Sequence, residues 1–224
     1  MVLIYFSLLL LVGALGFHLL TKKYVNPYLL TMVIGKKGSG KSTLIAKLSR
    51  KHIKSGWTVF STEHTPGTYL LDPSDIGKVE FPENSCVFID EVGMIWDNRG
   101  FKHFPTEVRD WFKLQRHRSV KVYLFSQTYD IDKKIRDLVD QFYLVEKKAR
   151  VFSYGKRVCK KLVLNDSTAE APSKIDENLV FDTFLLAPFG SRLFTFIPYW
   201  TKFFDSYSAP LLSEKDFEYI DELE

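Results

Sequence analysis

The hydrophobic pattern opens with one uninterrupted run. No Asp, Glu, Lys or Arg precedes Lys22, and VLIYFSLLLLVGALGFHLL is long enough for a helix to cross a hydrocarbon core of roughly 30 Å. The run predicts a single transmembrane anchor over residues 1–21. Lys22 and Lys23 follow at once, while the other flank offers only the α-amino group, so the positive-inside rule sets the large domain in the cytoplasm. A cleaved signal peptide is the rival reading: Ala14-Leu15-Gly16 is a passable cleavage site, but the basic segment that opens such peptides is missing.

Beyond Lys23 the pattern alternates between two periods. Tyr28 to Ile34 is an apolar run fit for a buried strand, and Leu44, Ile45, Leu48 and Ile53 then recur at near-helical spacing. Trp57–Ser61 and Cys86–Ile89 read as further strands. Val108, Trp111, Phe112 and Gln115 predict a helix over Thr106–Arg118 with Thr106 as its N-cap, and Val120–Phe125 predicts the next strand. RVFSYGKRVCKKLVL suggests a basic hairpin near 150–165 turning around Ser153-Tyr154-Gly155-Lys156, and residues 166–178 suggest a polar linker. FLLAPFGSRLFTFIPYW, from Phe184 to Trp200, is apolar but broken by Pro188, Gly190, Arg192 and Pro198, which excludes a second spanning helix; core packing is its default. Strands alternating with helices predict an α/β fold with a mostly parallel central sheet flanked by helices, over residues 22–212.

The first strand–helix junction carries chemistry. Gly35-Lys36-Lys37-Gly38-Ser39-Gly40-Lys41-Ser42 fills G-x-x-x-x-G-K-[ST] between a strand and a helix, and Thr43 continues it. Phosphate binding here needs successive backbone N–H groups to converge on one anion, which requires Gly35, Gly38 and Gly40 where a side chain would clash or φ must be positive. Lys41 supplies a point charge to the phosphates. Ser42 offers a hydroxyl to Mg2+, and the helix turns its positive dipole end toward the same anion. A P-loop NTPase domain is the reading.

Cys86-Val87-Phe88-Ile89-Asp90-Glu91 has the form of the strand that completes such a site. Asp90 would hold Mg2+ and Glu91 would orient and deprotonate the attacking water. A carboxylate base for water favours hydrolysis over kinase chemistry, which passes the phosphoryl group to a bound acceptor. Asp90-Glu91-Val92-Gly93 also satisfies DxxG, but no NKxD-like segment for guanine follows, so ATP is the expected nucleotide. Gln127, in the polar tip Ser126-Gln127-Thr128, is placed to sense the γ-phosphate or the water if the Val120–Phe125 strand lies between the other two.

Charge adds one asymmetry. The sum is 31 Lys+Arg against 27 Asp+Glu, but the last twelve residues hold six acids and one Lys, which leaves 30 against 21, or +9, on the rest. Residues 213–224 form an acidic tail. Lys147, Lys148, Arg150, Lys156, Arg157, Lys160 and Lys161 interleave with Phe152 and Tyr154; the cluster suits a single-stranded DNA surface, and slightly better an edge hairpin kept soluble by lysines, which needs no ligand. With 46% apolar residues the chain can build a core, which excludes collagen-like and disordered classes. Cys86 and Cys159 lie far apart and read as reduced thiols.

GKKGSGKST, CVFIDEVG and above all LQRHRSVKVYLFSQTYDIDKKIRDLVDQFYLV resemble the zonula occludens toxin (Zot) family, which includes the gene I morphogenesis ATPases of filamentous phages and is related to the FtsK/HerA translocases. The likeness covers roughly residues 28–207, with FFDSYSAP similar to the family's Y-D-[ST] stretch. The resemblance implies a Mg2+-dependent ATPase of the inner membrane that drives assembly and extrusion of a filamentous virion. Coat or assembly proteins are its implied partners, a homo-oligomeric ring its implied form, and single-stranded DNA a further partner. It implies that the nucleotide loop falls on Gly35–Thr43, the acids on Asp90 and Glu91, and the sensor on Gln127. Arg116, Arg118 and Arg136 become candidates for an arginine completing a neighbouring subunit's site. Well-known members place the span after the ATPase domain and an external domain beyond it, whereas here the span comes first, so toxin activity tied to that outer portion is not carried over. A DNA-packaging or DNA-translocating motor and a nucleotide-gated scaffold are the alternative readings.

Overall fold

A computed structural model describes residues 2–96, 105–129, 131–165 and 174–203. The acidic tail, the greater part of the 166–178 segment and Asp130 lie outside them. Helix α1, Val2–Thr21, has a mean hydropathy of 2.0 over Ile4–Thr21, and none of that stretch is buried against the rest of the protein. It is the one helix among the described residues long and apolar enough to cross a membrane.

The sheet that follows is built on β1 (Leu30–Ile34), β2 (Thr58–Ser61), β3 (Tyr69–Leu70), β4 (Ser85–Ile89), β5 (Val120–Ser126) and β6 (Gln141–Lys148), all parallel, in the order β3-β2-β4-β5-β1-β6. Strand β5 therefore lies between β1 and β4, the arrangement that Gln127 requires. Antiparallel strands extend the sheet beyond β6: β7 (Phe152–Asn165), then β8 (Lys174–Phe181), with β9 (Arg192–Phe196) also paired to β7.

Parallel strands covered on both faces have no polar side, and β4 shows why its sequence is continuously apolar. Val87 and Ile89 face one cluster with Leu30, Met32, Val122 and Leu124, closed by Trp111 and Phe112 of α4 (Thr106–Leu114). Cys86 and Phe88 face the other, with Val33, Phe125 and Leu44, Ile45 and Leu48 of α2 (Lys41–Lys54). Phe88 is fully buried and stacks on Tyr123 at 4.9 Å, nearly parallel, so this one side chain contributes roughly 2–3 kcal/mol of apolar burial.

Five expectations are corrected. Thr106 lies inside α4, whose cap residue is Pro105 and which has no side-chain cap, and the Phe184–Trp200 stretch is not core, since Phe184, Leu185, Phe194 and Tyr199 are exposed. The helix expected over Thr106–Arg118 stops at Leu114, because the buried Gln115 side chain reaches the Tyr28 carbonyl (3.2 Å) and its own carbonyl receives the Val120 N–H (3.0 Å), bending the chain into β5. The basic hairpin turns at Ala149-Arg150, both with positive φ, and Ser153–Lys156 lie within β7; Gly155 is there because a Cβ would meet Leu193 Cβ at 3.0 Å, not to make a turn. Residues 174–178 of the expected linker belong to β8, since an edge strand pairs through its backbone whatever its side chains. Cys86 and Cys159 are both free, and burial pushes the Cys86 thiol far up.

Candidate functional site

At the carboxyl ends of β1, β4 and β5 the chain leaves the sheet in three polar turns, and these converge. The Gly35 N–H donates to Ser126 O (3.1 Å), which ties the start of the glycine-rich loop to the tip of β5. A Cβ on Gly35 would sit 2.7 Å from Val145 O, and one on Gly40 2.7 Å from Ser153 Cβ, so β6 and β7 back the loop closely enough to demand glycine. Gly38 and Gly40 have φ of +74° and +92°. Gly40 caps α2 without any side-chain acceptor, and no acid stands in the first turn; the first N–H groups of the helix are therefore free to face an anion. Lys41 is buried with Nζ donating to Gly35 O at 2.8 Å, the Thr43 hydroxyl donates to Gly40 O, and the buried Ser39 Oγ has no hydrogen-bond partner. Lys36 and Lys37 sit at the outer rim. Beside them a groove of about 510 Å³ runs between Lys36–Ser39 and Leu144–Lys148.

Asp90 ends β4 inside the same cluster. Burial is the main force that raises its carboxyl to about 6; Glu91 and Glu63 push the same way, against the Glu91 N–H and the Lys41 charge. The Asp90 N–H donates to Thr62 Oγ1 (2.9 Å), and an Asp90 oxygen accepts the Glu91 N–H (2.9 Å). A buried carboxylate held by one backbone donor, beside the loop that carries the Ser42 hydroxyl, fits a divalent cation. Among the described residues no three His, Cys, Asp or Glu side chains are arranged to hold a metal ion together, so such an ion would draw its remaining oxygens from phosphate and water.

Glu91 adopts the left-handed conformation (φ 49°, ψ 43°) at the start of α3 (Val92–Ile95), a strained position for a residue with a Cβ. Its Oε1 accepts a hydrogen bond from Gln127 Nε2 at 2.8 Å. Two neighbours escaped the sequence reading: Thr62, which fixes the Asp90 backbone, and Glu63, whose carboxyl is raised by burial, with Glu91 adding to the shift against His64. The polar tip Ser61-Thr62-Glu63-His64 after β2 is the signal that marks them.

The arginines do not join this cluster within the chain. Arg116 is exposed past the end of α4 and Arg118 pairs with Glu80, both where β5 begins, at the sheet edge opposite the phosphate loop. Arg136, at the end of α5 (Lys133–Arg136), lies 4.7 Å over the Tyr129 ring and donates to Tyr129 O (3.3 Å). Much of the basic strand is also partnered: Lys148 and Lys156 meet Glu146 at 3.0 and 3.7 Å, Lys160 meets Asp137 at 3.8 Å, and Arg157 pairs with Asp182, whereas Lys147, Arg150 and Lys161 are exposed.

The family model that matches the sequence is described as Zonular occludens toxin (Zot) and spans residues 42–175, more than half of the chain. No curated protein matches the sequence. Among solved structures, the N-terminal domain of zonular occludens toxin from Neisseria meningitidis is similar at 15% identity and TM-score 0.42, over 71% of this chain and 97% of that one. The genome packaging NTPase B204 of Sulfolobus turreted icosahedral virus 2, in complex with ATP-gammaS, is similar at 14% identity and TM-score 0.45, over 55% and 77%. The flagellar accessory protein FlaH of Methanocaldococcus jannaschii is similar at 11% identity and TM-score 0.46, over 62% and 82%.

Proposed function

Because the chain belongs to the Zot family, we propose that it is a membrane-anchored, Mg2+-dependent ATPase of the inner membrane that drives assembly and extrusion of a filamentous phage, working as a ring. The observation that carries the hydrolase half is the Gln127–Glu91 hydrogen bond beside a buried Asp90 and a glycine-lined phosphate loop. Gly35–Thr43 cradle the triphosphate through backbone N–H groups, and Lys41 exchanges the Gly35 carbonyl for phosphate oxygens. The Ser42 hydroxyl and Asp90 would hold Mg2+, which would neutralise the phosphoryl charge. Glu91, aimed by Gln127, orients a water and accepts its proton as the oxygen attacks the γ-phosphorus and the bridging oxygen leaves with ADP. Coat or assembly proteins are the partners acted on.

Hydrolysis by the full chain in detergent or vesicles tests this reading, with and without single-stranded DNA across a salt series. Turnover that ignores DNA supports an assembly ATPase; steep stimulation at low salt favours a DNA motor engaging Lys147, Arg150 and Lys161. ATP bound without turnover favours a nucleotide-gated scaffold.

A further inference from the structure

The route from α1 to β1 determines which edge of the sheet faces the anchor. After the 3-10 turn Lys22–Tyr24, Asn26 Oδ1 accepts the Tyr28 N–H (2.9 Å), the Tyr28 hydroxyl donates to Asn84 Oδ1 (2.7 Å), and the Tyr28 carbonyl accepts from Gln115 Nε2 (3.2 Å). The Tyr28 ring lies 5.7 Å from that of Trp57. Trp57, Asn84 and Gln115 precede β2, β4 and β5, so the linker is fastened to the loops that enter the parallel sheet, opposite the phosphate loop. The residues between Thr21 and Leu30, one turn of them 3-10, reach about 25 Å at most.

That edge is basic. Lys51 and Lys54 stand exposed on the last turn of α2, Lys113 and Arg116 at the end of α4, and Lys23 where the anchor ends. Its acids are Glu80, paired with Arg118, and the exposed Glu83 and Asp140, the latter accepting the Leu30 N–H at 2.8 Å, so the cations outnumber them. We propose that this edge rests on the anionic headgroups of the membrane that α1 enters, with Lys51, Lys54, Lys113 and Arg116 as the contacts. The phosphate loop then opens away from the bilayer, toward the side from which ATP and partners arrive. The inference rests on reading α1 as an anchor. A tether of about 25 Å at most confines the edge to within about three Debye lengths of the bilayer at physiological salt, so the charges sample the range in which an anionic surface attracts them. It also gives Arg116 a role other than completing a neighbour's site.

The test uses the full chain in phosphatidylcholine vesicles with or without about 30% phosphatidylglycerol, and a headgroup-borne quencher. In a Cys159→Ser background, a fluorophore is placed by Ser55→Cys at the end of α2, or by Met94→Cys on the opposite edge. The Ser55 probe is expected to be quenched severalfold more with phosphatidylglycerol, reverting at about 0.5 M salt and in the combined Lys51→Gln, Lys54→Gln, Lys113→Gln, Arg116→Gln variant, with circular dichroism unchanged. The Met94 probe stays unquenched throughout. Equal quenching in both lipids, or no change in the combined variant, overturns the edge contact and leaves the anchor standing. Release of the chain by an alkaline wash overturns the anchor and the edge contact together.

Discussion

The side-chain amide of Gln127 donates to the carboxylate of Glu91 across the gap between β5 and β4 at 2.8 Å, joining residues 36 positions apart in the chain. Because an amide N–H can only donate and a carboxylate can only accept, the bond defines which oxygen of Glu91 stays free for water. Glu91 is already forced into a strained conformation, and a second restraint at its tip leaves few orientations open.

Glu91→Gln keeps the shape and removes the base, so turnover should fall by about 10²-fold or more with nucleotide affinity retained. Gln127→Ala should cost about tenfold in kcat with little change in KM, since it loosens the base without touching the phosphate loop. Steady-state kinetics of both variants separates these effects.

Lys41 is buried and spends its charge on Gly35 O. Lys41→Ala should weaken ATP binding roughly 10–100-fold, the loss expected for charge-assisted bonds to phosphate, while the melting temperature changes little. Isothermal titration on the variant reads this directly.

Asp90 carries the pH dependence. Its folded carboxyl lies near 6, above the usual 3.8, so the folded state binds a proton that the unfolded state has released. The stability tied to it is fully present below about 4 and is lost as pH rises through about 6. Asp90→Asn should therefore raise stability by about 3 kcal/mol at pH 8 and make no such gain at pH 4, while abolishing Mg2+-dependent turnover. Denaturant melts at the two pH values check the sign; a gain larger at pH 4 would refute it.

Gly40→Ala should destabilise the domain by about 2–3 kcal/mol, because the new Cβ meets Ser153 Cβ at 2.7 Å at a φ of +92°. Ser153→Gly in the same chain should restore the steric part and leave the φ part. A double-mutant cycle in urea resolves the two.

Of the parallel strands, β1, β2, β4 and β5 were readable because strands buried on both faces must be continuously apolar, as in Cys86–Ile89, and because a glycine-rich loop announces the strand before it and the helix after it, whereas β3 and β6 were not. The antiparallel half was legible only as a basic hairpin with its turn misplaced. Residues 174–178 are polar apart from Ile175 and carry no strand pattern, and the turn at Ala149-Arg150 uses positive φ on residues with side chains, where Gly155 offered a false signal. Thr62 and Glu63 went unseen because they reach Asp90 and Glu91 only through the β2–β4 pairing, a contact between strands more than twenty residues apart.

The most direct measurement is a paired one on the full chain: ATP affinity and Mg2+-dependent phosphate release for the wild type, Lys41→Ala and Glu91→Gln. The account requires release in the wild type only, with affinity lost in Lys41→Ala and kept in Glu91→Gln. Undiminished release from Glu91→Gln would contradict it, since the water would then be activated by some group other than the one Gln127 holds.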